Sequence, residues 1–151
     1  MFIEKSFLFE GMNPELVEAV SEASRQQTFG EGDWLFREGQ PAEYLYILEA
    51  GRVRLMLGER GTLAKTVRTP GDVFGWSSVV GPAAYTASAQ CLTPTRVTRI
   101  SGERMNRILE RDPGQGLEFY RRLAGLIRQR LLDGYRMLLH LDPEKRPQTY
   151  G

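Results

Sequence analysis

Residues 74–89, FGWSSVVGPAAYTASA, carry no charge and crowd together the hydroxyls of Ser77, Ser78, Thr86 and Ser88. A serine becomes a nucleophile only beside a base, usually a histidine oriented by a third group. The one histidine, His140, lies far along the chain from these serines and from the lone Cys91. A lone histidine on a helix is more often a surface residue than a base. A zinc site needs several His or Cys ligands at short spacing, which one of each cannot supply. There is no GxxxxGK[ST] and no HExxH. Cys91 stands in an apolar run, AQCL, and reads as a small buried core residue. The residue types argue against an enzyme and against a metal centre.

The elements that hold this stretch follow from pattern. Asn13-Pro14-Glu15 is a helix start, with apolar Leu16, Val17, Val20 and Ala23 recurring at helical spacing. From Gln27 to Ile100, β-favouring runs recur about every 8 to 12 residues between glycine-bearing turns, which predicts an antiparallel sandwich or barrel. YLYIL and RVRLML alternate, with Val53, Leu55 and Leu57 opposite Arg52 and Arg54. Gly32, Gly39, Gly51 and Gly71 are expected at turns with positive φ. Ser101 with Glu103 opens a short helix, and Asp112-Pro113 ends it and caps the next.

One long helix is predicted over about 114–141. Leu117, Tyr120, Ala124, Ile127, Leu131, Gly134, Leu138 and Leu141 follow a 3-4 spacing, the seam of a paired helix. A second stripe, Phe119, Leu123, Leu126 and Met137, is free to rest on the barrel. Two stripes exceed what packing within one small domain needs, which predicts a homodimer. Gly134 either permits a bend or close approach in that seam or is a neutral residue at a fraying end.

The chain has 151 residues, room for one domain with a single well-buried core. Twenty basic residues face 19 acidic ones, which argues against nucleic-acid binding by this chain alone. No apolar run reaches the roughly 18 residues of a membrane span. The N-terminus lacks a signal-peptide layout, and one cysteine permits no internal disulfide. A cytoplasmic location is expected. The domain is expected over 1–141, with residues 142–151 as a flexible, polar tail.

The order of short helix, strand roll, short helix and long terminal helix resembles the cyclic nucleotide-binding domain family. FGEGDWLFREGQPAEYLYILEAGRVRL and PGDVFG carry the resemblance, which covers roughly Phe7 to Leu139. It implies a mainly β fold, a double-stranded β-helix or jelly roll of about eight strands with flanking helices. The likeness is greatest to the sensory half of the catabolite-activator and fumarate-nitrate regulator group.

The resemblance also implies a phosphate-binding cassette at Gly75, Trp76, Ser77, Ser78, Val79, Tyr85, Thr86 and Ala87. Its backbone N–H groups would face a cyclic phosphate. Family members follow the glycine with an acid for the ribose and end the loop with an arginine for the phosphate. Here Trp76 and Tyr85 take those places. An arginine–phosphate contact is roughly twice as strong as a neutral hydrogen bond, so cyclic AMP or cyclic GMP in the usual mode is disfavoured. Hydroxyls of Ser77, Ser78 and Thr86, or Arg52, Arg54 or Arg68 from a neighbouring strand, would have to compensate. Three arrangements stay open. Trp76 and Tyr85 fill the hole, or they read a different small-molecule effector, or a cyclic nucleotide binds with altered contacts.

The expected function is a non-enzymatic regulatory domain signalling through a dimer helix or to a separate effector protein. The alternatives are a ligand-free dimeric interaction module, or the sensory half of a transcription regulator whose DNA-binding domain is missing. Met1 and the polar tail lead to the expectation of a complete chain.

Overall fold

The computed structural model describes residues 2–58, 63–81 and 84–141; the tail expected over 142–151 lies outside them. After a 3-10 turn at Phe2–Lys5, α1 spans Pro14–Ala23 with Pro14 in its first turn. Asn13 stands at its cap position without a side-chain cap bond. Its amide instead donates to Asp112 Oδ2 at 3.1 Å, and its backbone N–H donates to Gln115 Oε1 at 2.8 Å. The expected cap residue therefore ties the first helix to the corner between the last two.

Eight strands follow: β1 (Ser24–Phe29), β2 (Trp34–Phe36), β3 (Tyr44–Ala50), β4 (Val53–Leu57), β5 (Leu63–Val67), β6 (Val73–Phe74), β7 (Ser88–Cys91) and β8 (Thr95–Ser101). They form two antiparallel four-stranded sheets, ordered β1-β8-β3-β6 and β2-β7-β4-β5. This is the jelly roll with flanking helices. Gly32, Gly39, Gly51 and Gly71 all have positive φ.

Two helices close the chain: α2 (Gly102–Arg111) and α3 (Pro113–Leu141). Ser101 Oγ caps α2 by accepting from the Arg104 N–H at 3.3 Å, and Asp112 Oδ1 accepts from the Gln115 N–H at 3.3 Å. Among the described residues, no helix is long and apolar enough to cross a membrane.

The apolar residues sort into two cores rather than the single core expected from chain length. One lies inside the roll and includes Phe36, Tyr46, Leu48, Val53, Phe74 and Tyr85. The other joins the outer face of the β3 sheet to the helices, with Leu45, Ile47, Val20, Met105, Phe119 and Leu123. β3 is buried on both faces because its alternation divides its residues between these cores. The pattern expected in β4 fades towards the strand end: Val53 is buried and Arg54 exposed, but Leu57 is exposed too.

Candidate functional site

β6 ends at Gly75, whose φ of 76° and ψ of 26° lie in the left-handed region. A Cβ here would stand 3.0 Å from Tyr44 O and 3.1 Å from Tyr46 Cδ2, so glycine answers both the dihedral and the space. A 3-10 turn, Trp76–Ser78, follows. The Ser78 N–H and Oγ both donate to Gly75 O, and the N–H groups of Val79 and Val80 donate to Trp76 O. The backbone donors at 78–80 that the resemblance would turn towards a phosphate are thus used within the turn.

Ser78 and Val79 point away from the solvent-facing side of the loop. Both are buried, and Val79 O accepts from Asn106 Nδ2 of α2 at 3.1 Å. The start of α2 presses so close that a Cβ on Gly102 would lie 1.9 Å from Ser78 O. These two cassette positions anchor the loop to the helices.

Tyr85 is held by three elements. Its N–H donates to Gln40 O and its carbonyl accepts from the Gly39 N–H. Its ring stacks on Phe36, with centroids 3.7 Å apart. Its hydroxyl donates to Tyr44 O at 2.7 Å and accepts from the Tyr44 N–H at 3.1 Å. Burial pushes the phenol's pKa above its ordinary value, so the hydroxyl is a donor at neutral pH.

Trp76 and Tyr85 do not fill the space between loop and helix. They border a largely apolar cavity of about 340 Å³, within the range of small-molecule sites. Gly75, Trp76 and Ser77 line one side, and Tyr85, Thr86 and Ala87 another. The roll adds Phe36, the end of β4 from Leu55 to Leu57, and Lys65 of β5. Arg130, Asp133, Gly134 and Met137 of α3 close it.

The charged groups here were not singled out in the sequence. Lys65 Nζ donates to Asp133 Oδ2 at 2.8 Å, which holds that carboxyl below its ordinary range. The Arg130 guanidinium lies 4.5 Å from the Trp76 ring centroid, a cation–π contact, and donates to Val73 O at 3.4 Å. Burial lowers its affinity for the proton, while Asp72 and Asp133 raise it. Arg52, Arg54 and Arg68, considered as substitute cations, are exposed and do not line the cavity. The available signal was the spacing of 130, 133, 134 and 137, one face of a helix.

The outer face of α3 differs in part from the seam expected. Leu117, Tyr120, Ala124, Leu131 and Leu138 are exposed. Ile127, however, packs on the helix core, and Gly134 faces the cavity. Tyr120 also leans towards α2, its hydroxyl bonded to Asn106 Oδ1. Cys91 is buried, which raises its thiol pKa. Among the described residues, no group of three or more His, Cys, Asp or Glu is placed to hold a metal.

Comparison with known proteins agrees with this geometry. A family profile described as "Cyclic nucleotide-binding domain" matches residues 26–112. The chain is 26% identical over 131 residues to a CRP-like cAMP-activated global transcriptional regulator of Mycobacterium tuberculosis, covering 84% of this chain and 58% of that protein. It is 27% identical to the cyclic AMP receptor protein of Thermus thermophilus, covering 70% and 50%. It thus spans about half the length of these relatives. A solved structure of a protein from Geobacter metallireducens superposes with a TM-score of 0.75 at 28% identity, covering 85% of this chain and 95% of that one. With the roll, the loop after Gly75 and the closing helix all in place, the chain belongs to the cyclic nucleotide-binding domain family.

Proposed function

We propose that this chain is a non-enzymatic sensory module whose effector enters the cavity between the 74–87 loop and α3. The carrying observation is that one cavity of about 340 Å³ is walled jointly by the loop and by α3. A ligand there touches both at once. Its binding free energy then shifts the population of helix positions by as much as it favours one of them. Similarity to a regulator named cAMP-activated supports a small-molecule effector. The residues at 76 and 85 argue that any cyclic nucleotide is held without the family's acid and arginine.

The output is a homodimer built on the exposed face of α3, where Leu117, Leu131 and Leu138 stand in solvent. A separate effector protein reading the same face is the second route. The working location is the cytoplasm, and neither nucleic acid nor membrane is engaged by this chain itself. A ligand-free interaction module is the competing reading, favoured by the Tyr85 hydroxyl already being satisfied within the fold.

The test is a thermal-shift screen of nucleotides and metabolites, since a ligand of the native state raises the melting temperature by mass action. A Trp34→Phe variant leaves Trp76 as the single tryptophan and reports occupancy by fluorescence. A hit that also changes Trp76 emission is expected. A screen without hits favours the ligand-free module.

A further inference from the structure

The arginines of α3 divide by what they touch. Arg122 donates to the carbonyls of Phe7, Leu8 and Glu10 and meets Glu118 at 3.0 Å. Arg130 lies on Trp76 and is drawn by Asp72 and Asp133, and Arg136 stands 3.7 Å from Asp133. Arg121 and Arg128 are exposed and, among the described residues, have no hydrogen bond or ion pair. At about 3.6 residues per turn, the line opposite buried Phe119 and Leu123 runs through Leu117, Arg121, Ala124, Arg128 and Leu131, all exposed. Half-buried Tyr135 and exposed Leu138 continue it. Arg121, Arg128 and Tyr135 thus hold the places expected for Tyr120, Ile127 and Gly134 in the seam. The acids nearby are already engaged or stand at the rim. Glu118 is with Arg122, Asp133 is with Lys65 and Arg136, and Glu110 of α2 acts on Tyr120.

We infer that this face takes an acidic amphipathic helix of a different protein in preference to a second copy. This rests on the reading above that the exposed side of α3 carries the output, and it names the separate effector's chemistry. The spacing makes Leu117, Ala124, Leu131 and Leu138 one core position of a helix pair, and Arg121, Arg128 and Tyr135 the other. In a parallel pair of identical helices each core side chain meets its own copy. Arg121 and Arg128 then face like charges while leaving water, which opposes what the leucines gain. A helix with leucine opposite the leucines and glutamate opposite the two arginines covers the same apolar side chains and supplies both countercharges. A bilayer is a poorer match. Helices that lie on membranes keep their cations on the face opposite the apolar one. Here arginines and leucines share one line, and lipid would bury both guanidinium groups.

The experiment pairs the full chain with a charge-reversed copy, Arg121→Glu/Arg128→Glu, which stands in for the acidic partner. Sedimentation equilibrium of each alone and of an equal mixture reads the affinities. The mixed pair is expected to form about tenfold or more tightly than either self-pair. Added salt is expected to tighten the wild-type self-pair and to loosen the mixed one. A labelled peptide of about three heptads, with leucine at one core position and glutamate at the other, is titrated beside its lysine counterpart. Wild type is expected to prefer the glutamate peptide by about tenfold or more, and the charge-reversed copy to prefer the lysine peptide. The wild-type titration needs no variant to fold. Equal association in self-pairs and mixture, or equal binding of the two peptides, overturns the acidic partner while leaving a pairing face on α3. Tighter binding to phosphatidylserine vesicles than to the glutamate peptide gives the face to a membrane and overturns it too. Absence of any association overturns it together with the reading of α3 as the output.

Discussion

Tyr85 lies face to face on Phe36, ring centroids 3.7 Å apart and planes 12° from parallel, while its hydroxyl both gives to and takes from the Tyr44 backbone. The phenol is a fixed wall of the cavity. Tyr85→Phe keeps the stack but removes both hydrogen bonds, and is expected to lose about 1–2 kcal/mol in urea unfolding. The pH dependence follows from burial, which raises the folded pKa of Tyr85 and, further, of Tyr46. A phenol raised in the folded state contributes stability that is intact below about pH 10, its unfolded value. That contribution is lost as pH rises from there through the folded value. Tyr85→Phe should show a shallower alkaline decline than wild type; an identical decline would mean Tyr85 does not titrate with unfolding.

The Lys65–Asp133 link sets an acid limit on the seating of α3. The lysine holds the Asp133 carboxyl below its ordinary range, so its stabilisation is present above about pH 4, the unfolded value. It fades as pH falls through the depressed folded value. Once corrected for the slower intrinsic exchange of amides in acid, hydrogen exchange of α3 amides near Asp133 should quicken below pH 4 in wild type. Lys65→Gln should show that faster exchange already at neutral pH. If exchange in the variant matched wild type at pH 7, the link would carry no part of the seating.

Much of the fold was legible because local chemistry repeats it. Proline and asparagine at 13–14, the Asp112-Pro113 break and the glycine turns each act within a few residues. What escaped depends on partners distant in sequence. Asn13 has the composition of a cap, but Asp112 and Gln115, about a hundred residues on, take its hydrogen bonds. Ser78 and Val79 look like cassette residues until α2 is placed against them. Arg130 and Asp133 become cavity residues only once α3 lies over the roll. Apolar spacing reports that a helix has a buried face, not that part of the face borders an opening.

Two glycines make opposite predictions. A Cβ at Gly102 would collide with the Ser78 carbonyl at 1.9 Å, and backbone cannot yield as a side chain tip does. Gly102→Ala is expected to destabilise the domain by on the order of 3 kcal/mol. At Gly134 a Cβ meets nothing within 4 Å, and the helix runs through without a break. Gly134→Ala should stabilise by about 1 kcal/mol, the helix-propensity difference. Thermal melts of both variants check the pair, and a destabilised Gly134→Ala would mean that α3 needs its glycine to bend.

The exposed side of α3 decides whether the domain signals as a dimer. Leu117 is 61% exposed and Leu131 53%, both on the side away from Phe119 and Leu123, which are buried in the helix core. Large apolar side chains in a row on one helix face lose that exposure when a second copy pairs along the seam. Leu131→Glu places a charge in such a seam, where leaving water without a partner is unfavourable by several kcal/mol. Wild type should sediment as a dimer at micromolar concentration and Leu131→Glu as a monomer. Circular dichroism of the two should agree, because the substituted side chain touches solvent rather than the roll. A monomeric wild type would exclude self-pairing at that concentration and leave this face to a different protein.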